Sequence, residues 1–102
     1  MELNTLERLV ALNLLPNEGT FTNLKLIRVA REELSFNEEE HKALNFQQTE
    51  GQLAWKQEAD VIKDVHIGEV VNLILEEELK KLDKEGKLKN EQLSLYEKII
   101  GK

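Results

Sequence analysis

GEVVNLILEEELKKLDKEG, residues 68–86, carries the strongest amphipathic pattern in the chain. Val71, Ile74, Leu75, Leu79 and Leu82 recur at steps of three and four, which places them on one face of a helix. Val70 and Leu73 widen that face on one flank, and an apolar surface this broad suits packing against more than one element. Glu76, Glu77, Lys80, Lys81 and Lys84 take the other side. Glu76–Lys80 and Glu77–Lys81 are acid-before-base pairs four residues apart, the more favourable order. Acid early and lysine late also opposes the helix dipole. Gly86 fits the position just past the C-terminus, where a left-handed backbone costs glycine nothing.

Upstream of this helix, Lys63–Ile67 alternates, with Val65 and Ile67 on one side and Asp64 and His66 on the other. That pattern predicts a short strand leading into the helix. Residues 45–56, NFQQTEGQLAWK, read as a hairpin turning at Glu50-Gly51. A two-residue loop there sets Phe46 opposite Trp55 and Gln48 opposite Leu53, so Phe46, Leu53 and Trp55 share one face. An isolated hairpin is marginal in water, and helix 68–86 is the natural cover for that face.

Toward the N-terminus, Asn4-Thr5-Leu6-Glu7 has capping-box spacing. It opens a helix with Leu3, Leu6, Leu9, Val10 and Leu14 on one face, stopped by Pro16. A turn at 16–19 leads to a second helix from about Thr20 to Leu34. Leu24, Ile27, Ala30 and Leu34 make its stripe, and Leu26 with Val29 make a second apolar edge. Ser35-Phe36-Asn37-Glu38 reads as another capping box, opening a short helix over about 36–44. After Gly86, Asn90 is placed to cap a last helix carrying Leu93, Tyr96 and Ile100, with Leu95 and Ile99 beside them. The expected fold is one α+β domain over 1–102: about five helices with a small antiparallel sheet, the hairpin near 45–56 plus the strand near 63–67.

The charge balance bears on partners. Net charge is −6 with one third of residues charged, which argues against broad binding to nucleic acid or anionic membrane. It suits docking on other proteins. No cysteine is present, so thiolate catalysis, iron–sulfur clusters and cysteine zinc sites are excluded. MELNTLERLV is acidic and polar, unlike a secretory signal, and no apolar run approaches the roughly 18 residues of a membrane span. A cytoplasmic location is the expectation.

Signatures of catalysis are weak. Glu38 and His41 have Glu-x-x-His spacing, which in paired copies holds metals in helical bundles, but only one copy occurs. The reading adopted for Glu38, Glu39 and Glu40 is a solvated first turn that compensates the dipole, with His41 near its end. His66 has Lys63 three residues before it. There is no Gly-x-Ser-x-Gly, no Walker A loop and no dinucleotide fingerprint. Glu76, Glu77 and Glu78 point about 100° apart and do not converge on an ion. No catalytic residue, metal ligand or cofactor is assigned. The candidate interface residues are Trp55, Phe46, Val70, Leu73 and Tyr96. For Trp55 the core is the favoured reading, closing one end of it, and Tyr96 is similar, with its ring buried and its hydroxyl at the edge.

Three helices followed by a hairpin is also the order of a winged helix. Its recognition helix would be FNEEEHKALN, whose carboxylates repel phosphate.

LERLVALNLLPNEGTF, ELSFNEEEHKALNF and the KL…LSLYEKI ending together resemble small uncharacterised proteins encoded by tailed bacteriophages and prophages. That resemblance implies expression in a bacterial cytoplasm. It carries over no catalytic motif. The functional expectation is a small acidic non-enzymatic protein acting through protein–protein contacts, as a homodimer or as an accessory that modulates a host protein. The alternative is a transcription or nucleic-acid regulator with a degenerate winged-helix topology.

Overall fold

Asn4 opens α1 (Thr5–Leu14) as its sequence implies. In the computed structural model, which describes residues 1–101, its side-chain oxygen accepts from the Glu7 amide at 2.9 Å. The Glu7 carboxylate accepts in return from the Asn4 amide at 2.9 Å. α1 is apolar on nearly every side, and such a helix belongs at the centre of a fold. It packs on α2 (Phe21–Leu34), α4 (Glu69–Lys84) and α5 (Leu93–Ile99). Val10, Ala11 and Leu15 from this segment enter the core with Ile27, Ala30 and Leu34 of α2.

α4 is the amphipathic helix of residues 68–86. Val71, Leu75 and Leu79 are buried, and Ile74 and Leu82 are half-buried beside them. Each fully buried aliphatic of this kind contributes about 1.5–3 kcal/mol. Of the two expected ion pairs, Glu76–Lys80 closes at 3.1 Å. The helix ends as the sequence indicates. Gly86 has φ 69°, its amide donates to Asp83 O, and the Lys87 amide reaches back to Leu82 O at 2.8 Å. These two bonds satisfy carbonyls that the helix end would otherwise leave open.

The α+β class and the five helices agree with the sequence reading, but the strands divide into two sheets. β4 (Lys63–Asp64) pairs antiparallel with β1 (Glu2–Leu3), a strand the sequence reading did not assign. Leu3 is fully buried, and the extended backbone at the Asn4 cap aligns the preceding residues with β4. Val65 and Ile67 face the core and Asp64 and His66 face solvent, as the alternation requires.

β2 (Gln47–Thr49) and β3 (Gln52–Ala54) form the hairpin in the expected register, Gln48 opposite Leu53. Glu50 and Gly51 have φ 46° and 79°, the two positive values of a type I′ turn. The cover differs from expectation. α4 packs on α1, α2 and α5 and leaves the hairpin alone. The rings of Phe36 and His41 cover Phe46 instead, and Phe46 in turn meets Trp55.

α3 (Glu38–Leu44) starts one residue pair later than the Ser35–Glu38 box predicts. Asn37 is the cap, exchanging bonds with Glu40 at 2.8 and 3.0 Å. Ser35 is already committed, donating its hydroxyl to Arg31 O at the end of α2. Asn90 likewise begins a 3₁₀ turn (Asn90–Gln92) ahead of α5 rather than capping α5 directly. Leu95 is the fully buried residue of α5, while Leu93 stays exposed.

Candidate functional site

Exposed apolar side chains mark a surface across α2 and α4. Val70 is 44% exposed, Leu73 53%, Leu26 40% and Val29 57%. α2 and α4 pack side by side, and Leu26 lines the same shallow depression as Ile67, Val70 and Val71. Leu26 and Val70 therefore meet, and Val29 and Leu73, three residues further along, extend the exposed apolar edge of each helix. Contiguous apolar surface of this kind marks interaction sites more often than scattered residues do. Exposed charges of both signs border it, Lys25 and Glu33 on α2 and Glu69, Glu77, Lys80 and Lys81 on α4.

The other candidates lie elsewhere. Phe46 and Trp55 are half-buried in an aromatic cluster with Phe36 and His41. Ring centroids lie 5.2 Å apart for Phe36–Phe46 and 6.0 Å for Phe46–Trp55, all edge-on, a geometry that suits aromatic quadrupoles. Trp55 also lines a groove of about 400 Å³ with Leu6, Leu9, Val10 and Leu53. Its indole nitrogen is buried without a partner. Tyr96 is half-buried, and its hydroxyl donates to Asp83 Oδ2 at 3.2 Å, joining α5 to the end of α4. Partial burial and the Asp83 carboxylate hold its phenol above the usual range. The structure thus brings Val70 together with Leu26, and places Trp55 and Phe46 in a separate aromatic cluster and Tyr96 against the end of α4.

Two buried charges on α1 escaped the sequence reading. Arg8 and Glu7 are each 1% exposed. Arg8 Nη1 donates to Glu40 Oε2 at 2.6 Å and Nη2 to Oε1 at 3.3 Å. Its remaining donors reach Leu34 O at 3.1 Å and Ser35 O at 2.6 Å, while the guanidinium lies 3.9 Å from the Phe36 ring centre. One side chain therefore ties α1 to the end of α2, the start of α3 and the aromatic cluster. The Arg8 hydrogen bond holds the Glu40 carboxyl below its ordinary pKa despite some burial.

Glu7 performs the matching task toward α5. It accepts from Lys98 Nζ at 2.7 Å and from the Ser94 hydroxyl. Burial opposes its charge, but these bonds and the Asn4 amide outweigh burial and lower its pKa. A carboxylate held so firmly in its charged form is a poor base. Ser94, Glu7 and Lys98 together fasten α1 to α5. A usable signal existed: LERLVALNLL leaves a helix apolar all round, and charges within it are forced inside.

His41 rests edge-on against Phe36 and Phe46, and Glu38 stays in the exposed first turn of α3. Among the described residues no three His, Asp or Glu side chains gather as a metal would require. Among the described residues no helix is long and apolar enough to cross a membrane. Comparisons with protein-family models, with curated proteins and with solved structures give no match.

Proposed function

We propose that this chain is a small acidic, non-enzymatic domain that acts through protein–protein contacts. The observation that supports this reading is the exposed apolar surface of α2 and α4, where Leu26 and Val70 line one depression and Val29 and Leu73 lie exposed three residues further along their helices. The core does not need these residues, because Ile27, Ala30, Val71, Leu75 and Leu79 already fill the helix–helix contact. Residual apolar surface costs solubility and is retained where something covers it. The resemblance to phage-encoded proteins makes an accessory or host-modulating role the corresponding biological setting. The nucleic-acid reading gains no support, since Glu38 and Glu39 are exposed on α3 where a recognition helix would meet phosphate.

Immobilised wild-type chain and Leu73→Glu, each incubated with bacterial lysate, test the proposal. A protein retained by the wild type and lost from the variant is the expected result. Equal retention on both, or none on either, counts against it.

A further inference from the structure

The hairpin leaves the outer edge of β3 open, and a groove runs beside that edge. The two-residue turn makes Thr49 and Gln52 a hydrogen-bonded pair, and bonding alternates along an antiparallel ladder. The amide and carbonyl of Leu53 therefore point away from β2. Trp55 follows in the same phase, because the next amide, that of Lys56, turns inward to Leu44 O at 2.8 Å. Among the described residues no backbone group bonds to Leu53 or Trp55 on the outer side. Leu53 and Trp55 form one wall of the groove, Leu6, Leu9 and Val10 of α1 form the other, and no residue of β2 takes part. We propose that this groove binds an extended peptide of a partner protein, which adds to β3 as a third strand and places a basic residue against Glu91.

Backbone, side chains and charge select the same occupant. Leu53 and Trp55, two residues apart, offer two amides and two carbonyls in the spacing that a neighbouring strand pairs with. Main-chain bonds of this kind hold the peptide, and alternate side chains give specificity. The residues of the peptide that face α1 meet Leu6, Leu9 and Val10 and so are apolar. The Trp55 indole N–H, which has no acceptor in this chain, is a further donor in the groove wall. Glu91 is the charged residue that lines the groove, and it is exposed and outside every ion pair among the described residues. Lys56 and Lys89 are close in sequence but line no part of it. A Lys or Arg of the peptide therefore answers Glu91. A second copy of this chain fits less well, since its own β3, Gln52–Ala54, brings no cation. The proposal extends the protein-binding reading to a second surface, independent of α2 and α4.

Short end-blocked peptides alternating valine with lysine, titrated to millimolar concentration into the full chain, test the proposal. Trp55 is the only tryptophan, so its emission reports the groove directly. Amide NMR is expected to show shifts and slowed exchange at Leu53, Trp55 and the Trp55 indole. Two further peptides carry N-methyl groups on alternate amides, one on the valines and one on the lysines. In an edge strand only one set of amides faces β3, so one of the two is expected to bind roughly tenfold or more weakly and the other nearly as well as the parent. A valine–glutamate peptide is expected to bind more weakly than the valine–lysine one. Leu53→Pro removes the outer amide but no bond to β2, and is expected to abolish binding with the helices intact by circular dichroism. No response to the valine–lysine peptide, equal binding of both N-methylated peptides, or equal binding of the glutamate peptide would overturn the inference. So would a dimer in sedimentation that Leu53→Pro dissolves, because the edge would then belong to a second copy. Capture of a lysate protein through Leu73 with no peptide response ends the groove proposal alone. A phase-selective peptide response with no capture through Leu73 sustains it and removes the α2/α4 surface.

Discussion

Arg8 is the single side chain on which most separate segments depend. Its guanidinium makes four hydrogen bonds, to two carbonyls and a carboxylate, with an aromatic ring on one face. Removing it strands Glu40 and leaves the Leu34 and Ser35 carbonyls short of a partner. Breaking a buried pair by deleting one partner costs about 3–5 kcal/mol. Arg8→Ala is therefore expected to lower the urea midpoint severely, close to the limit for a domain of this size. Glu7→Ala should cost less. Lys98 is 36% exposed and can turn to water once Glu7 is gone, whereas Arg8 leaves its partners no such route. Urea unfolding of the two variants side by side checks the order. The Ser35 misreading is instructive at the same scale. Ser-x-x-Glu has the right spacing, but Ser35 belongs to the end of α2, where its hydroxyl donates to Arg31 O, and Asn37 two residues later accepts from the Glu40 amide as the cap of α3.

Among the elements, the hairpin stands apart. Its strand residues are all exposed, and it is joined to the body through Phe36, Arg8 and a backbone bond from Lys56 to Leu44 O. Its amides are expected to exchange with solvent far faster than those of α1, which hydrogen-exchange NMR would resolve. Its turn demands positive φ at both central residues. Gly51→Ala is expected to destabilise the hairpin by about 1 kcal/mol, although open space surrounds the position. Trp55 fluorescence should report the loss while far-UV helicity stays unchanged. α4 behaves oppositely. Leu75→Ala empties a fully buried site between helices and is expected to cost about 2–5 kcal/mol in global unfolding.

The molecule as a whole is held by an aliphatic core and two buried carboxylate fastenings, and the fastenings set its acid response. Glu7 and Glu40 both have folded pKa values below their ordinary ones. Groups depressed in this way contribute stability that is fully present above the unfolded carboxylate pKa, about 4.3, and is lost as pH falls through the folded values. Stability is expected to hold from neutral pH to about 5 and then to decline, with Glu40→Gln showing a shallower decline. Thermal melts across that range check it. Sequence by itself determined the helices, the hairpin register, the Gly86 stop and the outward alternation at Asp64 and His66. Each of these depends on neighbours within a few residues: apolar spacing, a cap, a turn dipeptide. Only tertiary structure decided that β4 pairs with β1, that Phe36 and not α4 covers the hairpin, and that Glu7 and Arg8 lie inside. Those outcomes depend on which elements meet in space, with the Arg8 and Glu7 bonds joining residues 26 and 91 positions apart, and several elements offered compatible apolar faces. For residues 68–86, the periodicity identified the buried stripe. The packing of α2 against α4 placed Val70 next to Leu26, while Leu73 and Val29 stayed outside the filled core.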